Sequence, residues 1–171
     1  MSITVITTPY GRFWRNESFT EDEKGFRKIA MLLPKNIEAM QSLIDAGLPK
    51  EIAETNVNDV EAMVKEVTKQ VTEDGKAKGF NVRKKMFKDG DAYADSRVQQ
   101  FEDNPENEGR SAPEYLNQTR GFYIINAKTK FELEFYGPKK SEGQRDDTWA
   151  EEHMYNGSWA RFFTKPYPYR S

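Results

Sequence analysis

The chain has 171 residues, a formal net charge of −2 and no cysteine, which excludes disulfides, thiolate metal sites and thiol catalysis. Its length fits one domain, and 36% hydrophobic against 32% charged residues describe a polar globular chain with one modest core. Aromatic residues are the anomaly: eight Tyr, eleven Phe and three Trp put much of the apolar area into flat rings, which either pack in a core or stack on a ligand.

Residues 2–15 read as a strand. "SITVIT" is rich in β-branched residues, and "YGRFWR" continues it past Pro9 and Gly11, which mark a bend or bulge. "GFRKIAMLLP" is a second strand, with Ile29, Met31 and Leu33 on one face and Phe26, Lys28, Ala30 and Leu32 on the other; Pro34 stops it. "NIEAMQSLIDAG" reads as a helix capped by Asn36 and ended by Gly47, with an apolar stripe of Ile37, Met40, Leu43 and Ile44. A second helix follows in "NVNDVEAMVKEVTKQVTEDG", where Val57, Val60, Val64, Val67 and Val71 recur at helical spacing and Asp74-Gly75 marks a stop.

Residues 75–120 are the least regular part. A turn is expected at Asp89-Gly90, and a polar, flexible loop over about 101–118. A hairpin is expected next, Phe122 to Ala127 and Phe131 to Tyr136 about a turn near Lys128-Thr129. A last strand covers "GSWARFFTKPYPYRS". Five strands with a helical insertion over about 36–74 predict a mainly β domain spanning 1–171, an OB-fold barrel of five strands with one or two helices and long loops. No apolar run approaches the ~20 residues of a membrane span, and the N-terminus lacks the basic start and apolar core of a signal peptide, so no membrane partner is expected.

The last strand carries the functional signal. Every second residue from Trp159 gives Trp159, Arg161, Phe163, Lys165, Tyr167 and Tyr169; the other row is Ser158, Ala160, Phe162, Thr164, Pro166 and Pro168. On a strand these rows face opposite ways. Arg161 and Lys165 would not sit unpartnered in a core, so the first row is expected to face solvent. "YGRFWR" repeats the idea, since Tyr10, Arg12 and Trp14 share one parity. Binders of single strands pair such rings, which stack on any base, with cations that meet phosphates. The run "KAKGFNVRKKMFK", which includes Lys84, Lys85 and Lys88, holds six cations and no acid. A neutral total charge is compatible with a positive groove.

Catalytic signals are weaker. His153 is the one histidine, and no phosphate loop or G-x-G-x-x-G stands in the sequence. Asp89, Asp91 and Asp95 are the candidates for magnesium-dependent nuclease or recombination chemistry, against the plainer reading of a turn rich in Asp and Gly. The leading expectation is a non-enzymatic protein with no cofactor and no metal. The alternatives are that nuclease and a protein-interaction module whose aromatic face docks a partner.

The order of "GFRKIAMLLPKN", "MFKDGDAY", "GFYIINAKTK" and "EEHMYNGSWARFFTKPYPY" resembles the bacteriophage single-stranded DNA-binding proteins with an OB-fold. The resemblance implies sequence-independent binding that coats and protects single-stranded DNA in phage replication and recombination. It also implies phage replication proteins as partners and the cytoplasm of the infected bacterial host as the location. It places Trp159, Arg161, Phe163, Lys165 and Tyr167 on the DNA-facing strand, and makes the Asp89-Gly90-Asp91 turn structural. Monomer and dimer stay equally open. One departure is the acidic C-terminal tail usual in the family: this sequence stops at Arg170-Ser171, so the resemblance carries over DNA binding and leaves recruitment through a tail open.

Overall fold

A computed structural model describes residues 5–83, 85–139, 141 and 143–166. In chain order these form β1 (Ile6–Thr7), β2 (Gly11–Glu17), β3 (Arg27–Pro34), α1 (Ile37–Asp45), α2 (Lys50–Ala77), β4 (Phe87–Asp89) and α3 (Gly90–Asp103). Then come β5 (Phe122–Thr129), β6 (Phe135–Tyr136), β7 (Gln144–Arg145), α4 (Asp147–His153), β8 (Trp159–Ala160) and β9 (Phe163–Thr164).

The main sheet is antiparallel, five-stranded and ordered β4-β5-β3-β2-β8. Its central strand β3 is buried on both sides, as its two apolar parities require. Met31 and Leu33 meet Phe13, Phe87 and Ile125 beneath Val60, Val67 and Val71 of α2. Leu32 meets Phe122 and Ile124 beneath Met40 and Leu43 of α1, with Leu48. We call these the α2 face and the α1 face. Each α2 valine costs at most about 0.7 kcal/mol in helix propensity. Burying it returns about 1.5–3 kcal/mol, so packing holds the helix.

The sheet is open. β4 and β8 are its edges, and no pairing between them closes it among the described residues. The predicted barrel is therefore met in strand number and not in closure, because α2 covers the α2 face and its valines fill that core. The expected long last strand is likewise broken in two: β8 pairs with β2, and β9 with β1. Thr7 faces Phe163 and Gly11 faces Ala160, so four steps on one side match three on the other. Pro9 lies in this slip and has no N–H for a ladder. The next residue is held by α2 instead: Asn56, 2% exposed, accepts from the Tyr10 N–H at 2.8 Å and donates to the Tyr10 carbonyl at 2.9 Å.

Three other expectations change. The second helix starts earlier and runs through Asp74-Gly75; Gly75 is buried within it, and the stop is Gly79, at φ +83°. There the Phe80 N–H reaches the Gly75 carbonyl and the Gly79 N–H reaches that of Lys76, a Schellman cap. Asp89-Gly90 is not a free turn but the start of a helix, α3. Asp89 accepts from the N–H groups of Asp91 and Ala92, and a Cβ on Gly90 would lie 2.0 Å from the Thr119 carbonyl. The 122–136 hairpin does not form: β5 pairs with β3 and β4, β6 pairs with β7, and Phe131 is 81% exposed between them. The loop of 101–118 contains the end of α3 and two 3-10 turns, Pro105–Asn107 and Glu114–Asn117. In α1 the predicted caps hold at Asn36 and Gly47, while Ile37 leaves the stripe and stands 82% exposed.

Replacing Asn56 by Leu leaves two backbone groups at Tyr10 without partners, at a cost of about 1–3 kcal/mol for each. Urea unfolding should show that loss; an unchanged midpoint would refute the clamp. The β2–β3 connection gives a pH effect. The Lys28 ammonium, then the Phe26 N–H, hold the Asp22 carboxyl down at about 2, from an ordinary 3.8. A depressed carboxylate stabilises the fold fully above its unfolded value and loses that effect as pH falls through the folded one. Between 3.8 and about 2, thermal melts of Asp22→Asn should therefore fall less steeply than those of the parent chain.

Candidate nucleic-acid interface

On the α1 face, residues directly opposite one another across the ladders form one row: Lys88, Ile124, Leu32, Arg12 and Trp159. The row crosses all five strands of the main sheet, about 19 Å at the usual strand spacing. Its centre is apolar and covered by α1. Its β2–β8 end is open and carries the rings.

Two ring-and-cation groups stand there. Tyr10 meets Trp159 edge-on at 5.4 Å, and the Arg161 guanidinium lies 4.9 Å over the Tyr10 ring. Trp14 meets Tyr93 of α3 edge-on at 5.5 Å; Arg15 lies 4.6 Å over Trp14, and Arg97 lies 5.8 Å over Tyr93. The four rings are half-buried, one side against the core beneath α1 and the other toward solvent. Arg12, Arg15 and Arg161 are exposed. A hollow of 180 Å³ lies beside Arg12 and Trp14, lined also by Leu32, Gln118, Asn156 and Gly157, and no carboxylate is in its lining.

A bulge builds the second group. The β2–β3 register shifts between Phe13 and Arg15, so Trp14 is an extra residue. Arg12 faces Leu32 and Arg15 faces Ala30, two positions of like parity on β3. Without the bulge Arg12 and Arg15 would point to opposite faces; with it both stand on the α1 face.

Along the last segment the two rows divide as their parity demands. Ser158 and Pro166 are buried and Ala160 and Phe162 pack on the core beneath α2, while Arg161, Phe163 and Lys165 are exposed. Phe163 is 72% exposed. Of the sequence-predicted residues, the structure gathers Tyr10, Arg12, Trp14, Trp159 and Arg161 in one place. Phe163 and Lys165 follow on β9 and beyond it. Lys88 is the far end of the cross-sheet row, whereas Lys85 lines a groove on the α2 face. Lys84 and Tyr167 lie outside the described residues. Arg15, Tyr93 and Arg97 were not legible as site residues; Tyr93 and Arg97 stand four apart, a spacing that signals a shared face once α3 is known to be a helix.

The three aspartates are each engaged by a cationic side chain. Lys35 bridges Asp89 and Asp91, at 3.0 Å to the latter, and Arg120 holds Asp95 at 2.7 Å. The hydrogen bond from Lys35 keeps Asp89 below the usual carboxylate range, and that from the Gly121 N–H does so for Asp91. Burial alone would lower Lys35, but its two carboxylates outweigh this and raise it. These bonds staple α3 to the entry of β5. Among the described residues no three metal-binding side chains cluster. His153 is exposed and stacks on Trp149 at 4.4 Å. No described helix is long and apolar enough to cross a membrane.

No protein-family model and no curated protein matches this sequence. Solved structures do. The single-stranded DNA-binding protein from bacteriophage Enc34 aligns at a TM-score of 0.60 with 16% identity, over 98% of this chain and 71% of that one. Its C-terminal truncation aligns at 0.59 with 15% identity, over 98% and 76%. The same protein in complex with ssDNA aligns at 0.58 with 16% identity, again over 98% and 76%. The chain thus has the fold of a phage single-stranded DNA-binding protein, the group that its order of motifs resembles.

Proposed function

We propose that this chain binds single-stranded DNA without regard to sequence, and that it does so without catalysing a reaction. The observation that carries the reading is the open end of the α1 face, where four half-buried rings stand together, Arg15, Arg97 and Arg161 lie over three of them, and Arg12 and Trp14 line a hollow free of acids. Edge-on packing holds each ring in place; a guanidinium already lies over Tyr10, Trp14 and Tyr93, so a base stacks there on the outer face of the guanidinium or in its place. Any base offers a π-face, so stacking does not select sequence. Guanidinium groups bind phosphate oxygens in a fork and do not titrate near neutrality. The likeness in fold to a protein solved with ssDNA supports the same reading. Coating and protection of DNA in phage replication and recombination, contact with phage replication proteins and residence in the infected host's cytoplasm belong to this proposal.

Trp159 is half-buried, so its test must spare the core. Trp159→Leu keeps an apolar side chain on the core and removes the indole, and should weaken oligo-dT binding by about 1–3 kcal/mol when titrated well below the melting temperature of either chain. Equal affinity in that variant would refute stacking at this site. Four arginines on four phosphates give log K against log salt a slope of about −3. A slope near zero would refute the electrostatic half. If oligo-dT left tryptophan fluorescence unquenched in the parent chain, the aromatic face would be a protein-docking surface instead.

A further inference from the structure

A cavity larger than the hollow beside the rings lies elsewhere. A groove of 620 Å³ lies on the α2 face, between α2 and the edge strand β4. Lys65, Lys69, Thr72 and Lys76 line it from α2, at helical spacings of four, seven and eleven, and Lys85 lines it from the segment before β4. The helical rise spreads the three α2 ammonium groups over about 16 Å. None of the four lysines has an ion-pair partner among the described residues. Two carboxylates line the groove, Glu73 and Asp89, and Asp89 is already held by Lys35. Lysines usually leave a helix singly into solvent; here four converge on one channel with a single uncommitted acid in its lining.

β4 adjoins both the groove and the α1 face: its Phe87 and Asp89 line the groove, and its Lys88 stands in the row on the α1 face. Lys88, on β4, ends the cross-sheet row that begins at Trp159, and Lys85 opens the groove on the other side of the same strand. A flexible polyanion that passes outside α1 from the rings to Lys88 meets Lys85 on turning the sheet edge.

We infer that the α2–β4 groove carries the phosphate backbone of a single strand that has passed around the β4 edge from the ring-and-arginine site, so that one strand touches both faces of the sheet. The inference rests on the single-strand reading above. The occupant is a polynucleotide and not an acidic peptide because ammonium groups repeated along the groove match a regularly repeated phosphate backbone, which the ring site already recruits.

The test compares the triple variant Lys65→Gln, Lys69→Gln, Lys76→Gln with the charge-matched control Lys24→Gln, Lys50→Gln, Lys139→Gln, three lysines outside both sites. Each full chain is titrated over a range of salt with oligo-dT of about 6 and about 25 nucleotides, the first near the lower end of the usual occupancy of one such domain and the second beyond its upper end. The triple variant should bind the short oligonucleotide as the control does. It should bind the long one more weakly, with a salt slope smaller by about 2 for three lost phosphate contacts. Equal long-oligonucleotide slopes in the two variants would overturn the inference, as would an equal loss on both lengths. A poly-glutamate peptide whose binding the triple change abolishes, with the long-oligonucleotide slope intact, would also overturn it and assign the groove to an acidic protein segment. All three results leave the ring site standing. If the parent chain bound neither oligonucleotide, the ring site would fail, and the groove with it.

Discussion

The arrangement depends on a buried amide. Pro9 interrupts the ribbon formed by β1, β2, β8 and β9 and leaves the Tyr10 backbone without a strand partner. Asn56 supplies both a donor and an acceptor from α2. One side chain thereby fixes where the ribbon bends and where the helix lies. Tyr10, held at that bend, is the ring that Trp159 and Arg161 both touch. An apolar residue would pack as well at position 56 but would leave two polar groups in a dry place, which the low dielectric there makes costly.

The rings are neither core nor decoration. α2 covers one face of the sheet, and α1 covers only the middle of the other. Side chains at the margin of α1 have an apolar floor and an open roof. A ring in that position loses little freedom when a ligand arrives, because its neighbours already hold it. The Trp14 bulge widens this margin toward α3, bringing Arg15, Tyr93 and Arg97 beside residues from β2 and β8.

Parity was the most legible signal. The alternating rows from Ser158 to Pro166 separate inward and outward side chains as the sequence demands, although the strand itself is broken. β3 and the caps of α1 were legible for similar reasons, since each is specified by residues close in sequence. The failures are non-local. α3 buries only Gly90 and Ala94, so it shows almost no apolar stripe; it is held by its Asp89 cap and by Thr119 and Gly121, thirty residues on. Gly75 resembles a helix stop, and only its burial shows that it sits inside α2. The partner of β5 is β3, nearly a hundred residues earlier, not the adjacent segment around Phe131. Arg15 could not be assigned a face without the bulge, because one inserted residue reverses the parity of everything after it.

The two margins of the main sheet are short: β4 has three residues and β8 has two. A strand that brief offers an incoming chain too few amide groups to build a lasting ladder. Molecules of this protein packed shoulder to shoulder are thus poor templates for fibril growth, and an open sheet can be tolerated at high local concentration without the seal that a closed cylinder would provide.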